Sequence, residues 1–193
     1  MTVREDHEPA PDGPGRTWYY LDHPGCALVL PVTADGTLLL IRSWRVAVGG
    51  WCLEAPAGRC EPGESPRETA CRELSEETGA RAGVLYPLGS VWPSSGSSNE
   101  EVHLFLAADV RPGPPHHDDG EVIHPCPLPA PEALALATNG ELQDAPTALA
   151  LLRAHRRGLL PTVSAAPTTA PPTTAPPTTA APIAAPTAFG QQR

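Results

Sequence analysis

The stretch that decides the fold runs from Gly58 to Ala80 and reads GRCEPGESPRETACRELSEETGA. Its second half carries the signals of a helix start, because Ser65 can cap the first turn, the following proline suits the first helical position, and Glu68 completes an S-x-x-E capping box. Gly79 is typical of the residue that follows a helix end. The stretch therefore predicts a helix from Ser65 to Thr78.

One side of this predicted helix is acidic, because Glu73, Glu76 and Glu77 lie three and four residues apart. Like charges at that spacing repel one another, and Arg72 can offset part of the repulsion by pairing with Glu76. A run of acidic residues usually marks a solvated helix face. Carboxylates that converge on one face can also be stabilised by shared cations. The cluster by itself leaves both interpretations open.

The composition excludes several classes of protein. The chain has 193 residues and a formal net charge of −9, and all 13 basic residues are arginine. An acidic chain is a poor nucleic-acid binder, because such a binder needs a basic face. No apolar stretch approaches a membrane span, and the N-terminus lacks the apolar core of a secretory signal. We therefore expect a cytoplasmic protein with neither nucleic-acid nor membrane partners.

The cysteines and the C-terminal composition indicate how the chain is organised. The five cysteines are scattered without a CxxC pair, which argues against a disulfide framework and a zinc site. From Pro161 onward the sequence is rich in Pro, Thr and Ala, with almost no bulky side chains to form a core. We predict a flexible segment over residues 1–15, one domain over 16–158 and a disordered tail over 159–193.

Hydrophobic patterns place short strands on both sides of the central helix. Strands are expected at 17–21, 26–32, 38–43, 51–54, 82–92 and 102–109, with an Asp35-Gly36 turn between the second and third. Two helices, at 131–138 and 145–157, are expected to close the domain. Strands around a central helix, followed by helices, predict a mixed α/β or α+β fold.

The glycines, charges and spacings of the central stretch resemble the Nudix box, G-x5-E-x7-R-E-U-x-E-E-x-G-U, in which U is a bulky aliphatic residue. The residues that fit are Gly58, Glu64, Arg72, Glu73, Leu74, Glu76, Glu77, Gly79 and Ala80. Ala80 is the one residue of this set that departs from the pattern, because it is smaller than the bulky aliphatic residue expected at the last position. The resemblance implies a Nudix α/β/α sandwich with a mixed central sheet. It also implies an enzyme that hydrolyses a nucleoside diphosphate linked to another moiety, X.

The same resemblance implies roles for the residues of the box. Glu73, Glu76 and Glu77, with the carbonyl of Ala57, hold Mg²⁺, for which Mn²⁺ is the alternative. Mg²⁺ prefers such hard oxygen ligands and lowers the pKa of an attacking water. The resemblance implies that Arg72 orients the neighbouring glutamates. Arg72 and Glu76 are therefore both expected to be catalytic residues. The structural positions of the box are Gly58, Glu64 and Gly79.

Four flanking stretches resemble the ADP-ribose pyrophosphatases among Nudix enzymes. They are His23-Pro24-Gly25, the stretch from Ser43 to Gly58 that ends in Glu54-Ala55-Pro56-Ala57-Gly58, the loop 93–100 and the stretch 140–147. This resemblance implies a homodimer and the conversion of ADP-ribose to AMP and ribose 5-phosphate. The sequence departs from the pattern of the ADP-ribose pyrophosphatases at Pro93, at Pro146 and in the proline-rich stretch 125–131. These departures leave the identity of X open among ADP-ribose, other nucleoside diphosphate sugars and related dinucleotides.

Four residues outside the box are further candidates for the site. Arg45 binds a phosphate or ribose, or pairs with a surface acid. Trp18 stacks on adenine, or belongs to the core or a dimer interface. Glu100 contacts the ribose or helps the metals, or is an ordinary loop acid. Glu121 is the candidate general base on a loop expected to be mobile, with Asp118 and Asp119 as rivals and a solvated acidic loop as the alternative.

Three functions compete at this stage. The first is an ADP-ribose pyrophosphatase, and the second is a Nudix pyrophosphatase for another nucleotide sugar, dinucleotide or oxidised nucleotide. The third is a Nudix domain that binds ligand without turnover. The third is disfavoured because all three box glutamates are present, whereas a non-catalytic relative would be expected to lose some of them.

Overall fold

The computed structural model describes residues 1–111, 113–114 and 122–161. In this part of the chain the strands are β1 (Thr2–Ala10), β2 (Gly13–Asp22), β3 (Cys26–Pro31), β4 (Thr37–Arg45), β5 (Gly50–Glu54), β6 (Ala57–Arg59), β7 (Val84–Val91), β8 (Val102–Ala108) and β9 (Ile123–Pro129). The helices are α1 (Pro66–Thr78), α2 (Ala130–Asn139) and α3 (Ala145–Arg156). None of these helices is long and apolar enough to cross a membrane.

The central sheet is mixed and has the strand order β6-β3-β8-β7. β3 runs parallel to β8, while β6 and β7 are antiparallel to their neighbours. A second, antiparallel sheet has the order β5-β4-β9. The expected turn between β3 and β4 is present, with Gly36 at a φ of 85°. The two strands then separate into different sheets, joined by a single bridge between Val32 and Leu38.

The core is divided between the two faces of the central sheet, because successive strand residues point to opposite sides. Ala27 and Val29 of β3 pack with Ala70 and Leu74 of α1 in one cluster. Leu28 and Leu30, the alternate residues of the same strand, belong to the larger cluster that includes Ala150 and Leu151 of α3. A mixed sheet with helices packed on both faces confirms the predicted α+β sandwich.

The N-terminal segment differs from its prediction. Residues 1–15 were expected to be flexible, but β1 and β2 pair along their length as an antiparallel hairpin. Its residues are mostly exposed, and hydrogen bonds tie its strands together, including one from Trp18 Nε1 to Glu8 and one from Tyr20 Oη to Asp6. Cross-strand polar pairs of this kind are not visible as an apolar pattern, which is why β1 was missed.

The proline-rich stretch after residue 122, for which the apolar patterns predicted no element, forms strand β9. Pro125, Pro127 and Pro129 alternate with residues that retain a backbone N–H. β9 lies at the edge of its sheet, where a missing donor can face away from the neighbouring strand. The edge position therefore accommodates prolines that would exclude a central strand.

The C-terminal end of the packed chain lies beyond the predicted boundary at residue 158. Leu160 is only 8% exposed and belongs to the larger core cluster, against which Leu159 also packs. Residues 162–193 lie outside the described part, so the disordered tail stays a prediction. The packed domain therefore continues at least to Leu160.

This boundary can be tested with two truncations. A chain ending at Pro161 should melt at the temperature of the full chain, whereas a chain ending at Gly158 should melt lower because it loses Leu159 and Leu160. Burial of one leucine contributes about 1.5–3 kcal/mol, and each kcal/mol is worth roughly 2–4 °C in a domain of this size. Thermal unfolding should therefore show a decrease of roughly 3–12 °C. Equal melting temperatures would mean that these leucines contribute nothing to the core.

Candidate active site

Helix α1 begins and ends as its sequence predicts. The N–H of Glu68 donates to Ser65 Oγ, and the N–H of Ser65 donates to the Glu68 carboxylate at 2.8 Å, so the capping box is complete. Gly79 ends the helix at a φ of 69°, a left-handed conformation that favours glycine. These caps fix where the helix starts, and so which side of it presents the glutamates.

Arg72 is the centre of the acidic cluster. Its guanidinium donates to Glu64 from Nε at 3.0 Å and from Nη2 at 3.1 Å. Its Nη1 donates to Glu73 Oε1 at 2.7 Å and to Glu76 Oε2 at 2.8 Å, and Nη2 also donates to the carbonyl of Arg59. One cation thus neutralises carboxylates that would otherwise repel one another. The role of Arg72 in orienting the glutamates for catalysis stays a prediction.

Glu64 serves as the anchor for this arginine. The hydrogen bonds from Arg72, followed by those from the Glu61 N–H and the Thr69 hydroxyl, lower the pKa of Glu64 to about 2. The hydrogen bond to Glu64 is also the largest cause that raises the pKa of Arg72 above its usual range, and the contacts with Glu73 and Glu76 add to it. Because the pKa of Glu64 is depressed, its carboxylate stays ionised through the neutral range and keeps the pair intact. The structural role predicted for Glu64 stays a prediction.

Two glutamates of the box are buried against strand β6. Glu73 and Glu77 are 9% and 4% exposed, and Glu77 Oε2 accepts a hydrogen bond from the N–H of Ala57 at 3.0 Å. The Glu73 carboxylate passes so close to Gly58 that a Cβ at residue 58 would lie 1.8 Å from its Oε1. Any larger residue at position 58 would displace this carboxylate, which explains why the box needs glycine there.

The chemistry of this donor set suits a hard divalent cation, since carboxylate oxygens of Glu73 and Glu76 converge on a single positively charged nitrogen of Arg72. Among the described residues, no group of three or more His, Cys, Asp and Glu side chains is already arranged as a metal site. Arg72 is instead the cation that these oxygens contact. The assignment of Ala57, Glu73, Glu76 and Glu77 as metal ligands stays a prediction.

A cleft of about 1120 Å³ opens beside the box. Box residues on its walls include Gly58, Glu64, Arg72, Glu73 and Glu76. From outside the box, Arg45 and Glu100 line the cleft as well. The structure thus brings two of the flanking candidates together with the acidic cluster, although they are separated from it by many residues in sequence.

Arg45 is held by a buried acid. Its Nε donates to both carboxylate oxygens of Glu54, at 2.9 and 3.1 Å, and Glu54 is only 7% exposed. This contact is the main cause that raises the pKa of Arg45, against the opposing effect of burial. The acid that pairs with Arg45 therefore lies in the cleft and not on the outer surface. Half of the Arg45 side chain remains exposed, so the guanidinium can still contact a ligand.

Other predicted residues lie elsewhere. Trp18 is on the exposed hairpin, bonded to Glu8, and is not among the residues that line the cleft. Glu121 and its rivals Asp118 and Asp119 lie outside the described residues, so their roles as general base remain predictions.

Sequence reasoning missed cleft residues that had a local signal. Glu54 and Asp144 both line the cleft, and both belong to stretches that were used only for their resemblance. Asp144 caps α3 by accepting from the N–H of Thr147 at 2.9 Å. The buried Thr147 hydroxyl in turn accepts from the N–H of Ala55, which ties the start of α3 to the segment leading into the box. The sequence signal for this cap was an acidic residue followed three positions later by threonine, here Asp144 and Thr147.

Comparisons with known proteins agree with this geometry. The NUDIX domain family matches residues 22–151. The ADP-ribose pyrophosphatase of Bacillus subtilis (strain 168) is 35% identical over 143 residues, which are 73% of this chain and 77% of that protein. The GDP-mannose pyrophosphatase of Yersinia enterocolitica is 32% identical over 145 residues, with coverages of 70% and 75%.

A solved structure described as an ADP compounds hydrolase superposes with a TM-score of 0.69 at 23% identity. The superposition covers 82% of this chain and 88% of the other, and it supports the fold alone. With the box, the cleft and the family match taken together, the chain belongs to the NUDIX domain family and is a Nudix hydrolase.

Proposed function

We propose that this enzyme hydrolyses ADP-ribose to AMP and ribose 5-phosphate by cleaving its diphosphate bond with water. The observation that carries the proposal is the cleft in which Arg45 and Glu100 face the acidic cluster of α1. A relative of similar length is named an ADP-ribose pyrophosphatase, while another is named for GDP-mannose. Another nucleoside diphosphate sugar is therefore the second candidate substrate.

The cationic side chains of the cleft suit a diphosphate. Arg45 is held rigidly by Glu54 and keeps half of its surface available, so it can bind a phosphate or a ribose. Arg59 also lines the cleft, and it lies on β6 opposite Cys26 of β3. Within the described residues Arg59 forms no ion pair. Guanidinium groups bind phosphate oxygens through two parallel hydrogen bonds. Both arginines are thus suited to orient the diphosphate beside the acidic cluster.

Nudix hydrolases generally need a divalent metal, and we propose Mg²⁺ for this one, held by Glu73, Glu76 and Glu77 with the carbonyl of Ala57. When bound, such an ion neutralises phosphate charge and lowers the pKa of a water. Arg72 would keep the glutamates aligned from its anchor on Glu64. This arrangement would limit the repulsion that the carboxylates exert on one another before substrate binds.

The proton of the attacking water needs an acceptor. We assign this role to Glu121, with Asp118 and Asp119 as alternatives, because the resemblance to the ADP-ribose pyrophosphatases implies a catalytic glutamate in this part of the chain, between β8 and β9. A general base contributes only while the reaction proceeds, so its loss should slow turnover without weakening binding. The cytoplasmic location and the disordered tail remain predictions.

A second copy of the chain is the proposed partner. On one face of the hairpin, Val3, Tyr19 and Leu21 are 71%, 65% and 41% exposed, and the register places them side by side. The other face carries Trp18 and Tyr20, whose polar atoms are already bonded to acids within the hairpin. An exposed group of apolar side chains of this kind is typical of an interface between protein chains. We propose that it forms the homodimer contact.

The substrate proposal predicts that purified enzyme with Mg²⁺ releases AMP from ADP-ribose, and that EDTA abolishes the release. A panel that also contains ADP-glucose, NADH, a diadenosine polyphosphate and oxidised dGTP, with products identified by chromatography, measures the preference. Turnover of only the nucleoside triphosphate would contradict the subfamily. Preference for another nucleotide sugar would leave the reaction intact and change X.

The two proposed roles for glutamates predict different kinetics. Glu76→Gln should raise the Mg²⁺ concentration needed for half-maximal activity, because a ligand or its support is lost. Glu121→Gln should lower kcat by about 10²–10⁴-fold while Mg²⁺ and substrate affinities stay near wild type. Glu132→Gln, an exposed carboxylate on α2, is the control and should change neither. Wild-type kinetics for Glu121→Gln would move the base to Asp118 or Asp119.

The dimer proposal predicts that neighbouring tyrosines of the hairpin behave differently. Tyr19→Ser removes one side chain of this exposed apolar group and should shift the protein toward monomer at micromolar concentration. Tyr20→Ser is the matched control on the opposite face and should leave the dimer unchanged. Sedimentation velocity measures both variants. A monomeric wild-type protein, or equal behaviour of the two variants, would contradict this interface.

A further inference from the structure

The imidazole of His23 lies in the active-site cleft and has no role in the function proposed so far. Its side chain is 7% exposed, and both His23 and Glu100 line the cleft. His23 Nε2 lies 3.8 Å from Glu100 Oε1, and the Glu100 side chain is 28% exposed. A nearly buried ring therefore faces a carboxylate that remains accessible to a ligand.

The other ring nitrogen determines where the proton of His23 is. The backbone N–H of Gly25 donates to Nδ1 at 3.1 Å, so Nδ1 must act as an acceptor. In the neutral imidazole the proton then resides on Nε2, the nitrogen that faces Glu100. Gly25 has a φ of 97°, a conformation that other residues rarely adopt, and this conformation turns its N–H back toward the ring.

Backbone contacts hold His23 and Glu100 opposite each other. The N–H of His23 donates to Asn99 Oδ1 at 2.7 Å, and Asn99 Nδ2 donates to Asp22 at 2.7 Å. On either side, the N–H of Leu21 donates to Ser97 and that of Cys26 donates to Glu101, each at 2.9 Å. The segment before β3 and the loop before β8 thus form one ladder, and the His23–Glu100 separation follows from it.

Cys26 lies at the start of β3 and lines the same cleft as Glu100. Burial raises the pKa of its thiol to about 12, and the negative charge of Glu100 is the next largest cause. The charge of Glu100 is therefore felt inside the cleft.

We propose that His23 is a positioning residue, whose Nε2–H holds the Glu100 carboxylate in the orientation that accepts hydrogen bonds from the sugar hydroxyls of the substrate. The 3.8 Å separation is longer than a hydrogen bond, and a small movement of the partly exposed Glu100 side chain would close it. The proposal rests on the hydrolysis of a nucleotide sugar. Because Glu100 contacts the sugar and not the reacting atoms, losing its orientation should raise KM and leave kcat unchanged.

Two substitutions of His23 separate this role from a structural one. His23→Asn keeps an acceptor near the Nδ1 position for the Gly25 N–H but has nothing at Nε2. His23→Gln can place an amide N–H near Nε2 while giving up the Gly25 contact. We expect His23→Asn to raise the KM for ADP-ribose by about tenfold, the size of a lost charge-assisted hydrogen bond, with kcat within about twofold of wild type. His23→Gln should restore most of the lost KM, even with a lower melting temperature.

A double-mutant cycle tests whether His23 acts through Glu100. Glu100→Gln alone should raise KM, and adding His23→Asn should raise it no further. Glu101→Gln, a change at the neighbouring carboxylate, is the control and should leave KM unchanged.

Wild-type KM in His23→Asn, additive effects in the double variant, or a lower kcat and melting temperature with no change in KM would each overturn the positioning role. Failure of the wild type to hydrolyse ADP-ribose would overturn the proposed substrate instead. The same variants are then compared on whichever nucleotide sugar of the panel is turned over.

Discussion

The site depends on the repulsion between carboxylates that the helix spacing forces together. Glu73 and Glu76 project from the same side of α1, and both contact a single nitrogen of Arg72. Arg72 can occupy that position because Glu64 and the carbonyl of Arg59 hold the rest of its guanidinium. A helix with this charge pattern would be destabilised in isolation. The loop before α1 supplies Glu64, which holds Arg72 in the position where it offsets the repulsion between the helix carboxylates.

Close packing of the same helix against β6 sets a second constraint. The Glu73 carboxylate occupies the space that a side chain at residue 58 would take, and Glu77 is fixed by the N–H of Ala57. Strand, loop and helix therefore pack closely around Glu73 and Glu77, and this packing restricts the positions that the two carboxylates can adopt. Preorganised groups of this kind need little rearrangement during a reaction.

The cleft is built around this acidic wall by elements from distant parts of the chain. Arg45 comes from β4, where the buried Glu54 of β5 fixes its guanidinium, and Glu100 comes from the loop before β8. Asp144 and Thr147 at the start of α3 secure the segment that leads into β6. A nucleotide-sugar substrate needs contacts to two chemically different halves as well as to its diphosphate. The arginines, together with the metal that the acidic wall is proposed to hold, suit the diphosphate. Glu100 and His23 are proposed to meet the sugar hydroxyls.

The sequence by itself determined the parts whose signals are local. The bounds of α1 follow from Ser65, Glu68 and Gly79, whose cap interactions involve residues a few positions away. Several strands also followed from their apolar patterns, and the reaction class followed from the resemblance of the stretch 58–80 to the Nudix box. Those features lie within one turn or one strand, so a linear pattern can encode them.

Only the tertiary structure decided the features that join distant residues. Strand β1 is stabilised by polar pairs across the hairpin, and β9 tolerates its prolines because it lies at a sheet edge. The end of the domain at Leu160 depends on a core built from other elements. The pairing of Arg45 with Glu54 and the approach of His23 to Glu100 likewise arise from packing. Their free energies depend on which groups the fold brings within a few ångströms, and no short stretch of sequence contains that information.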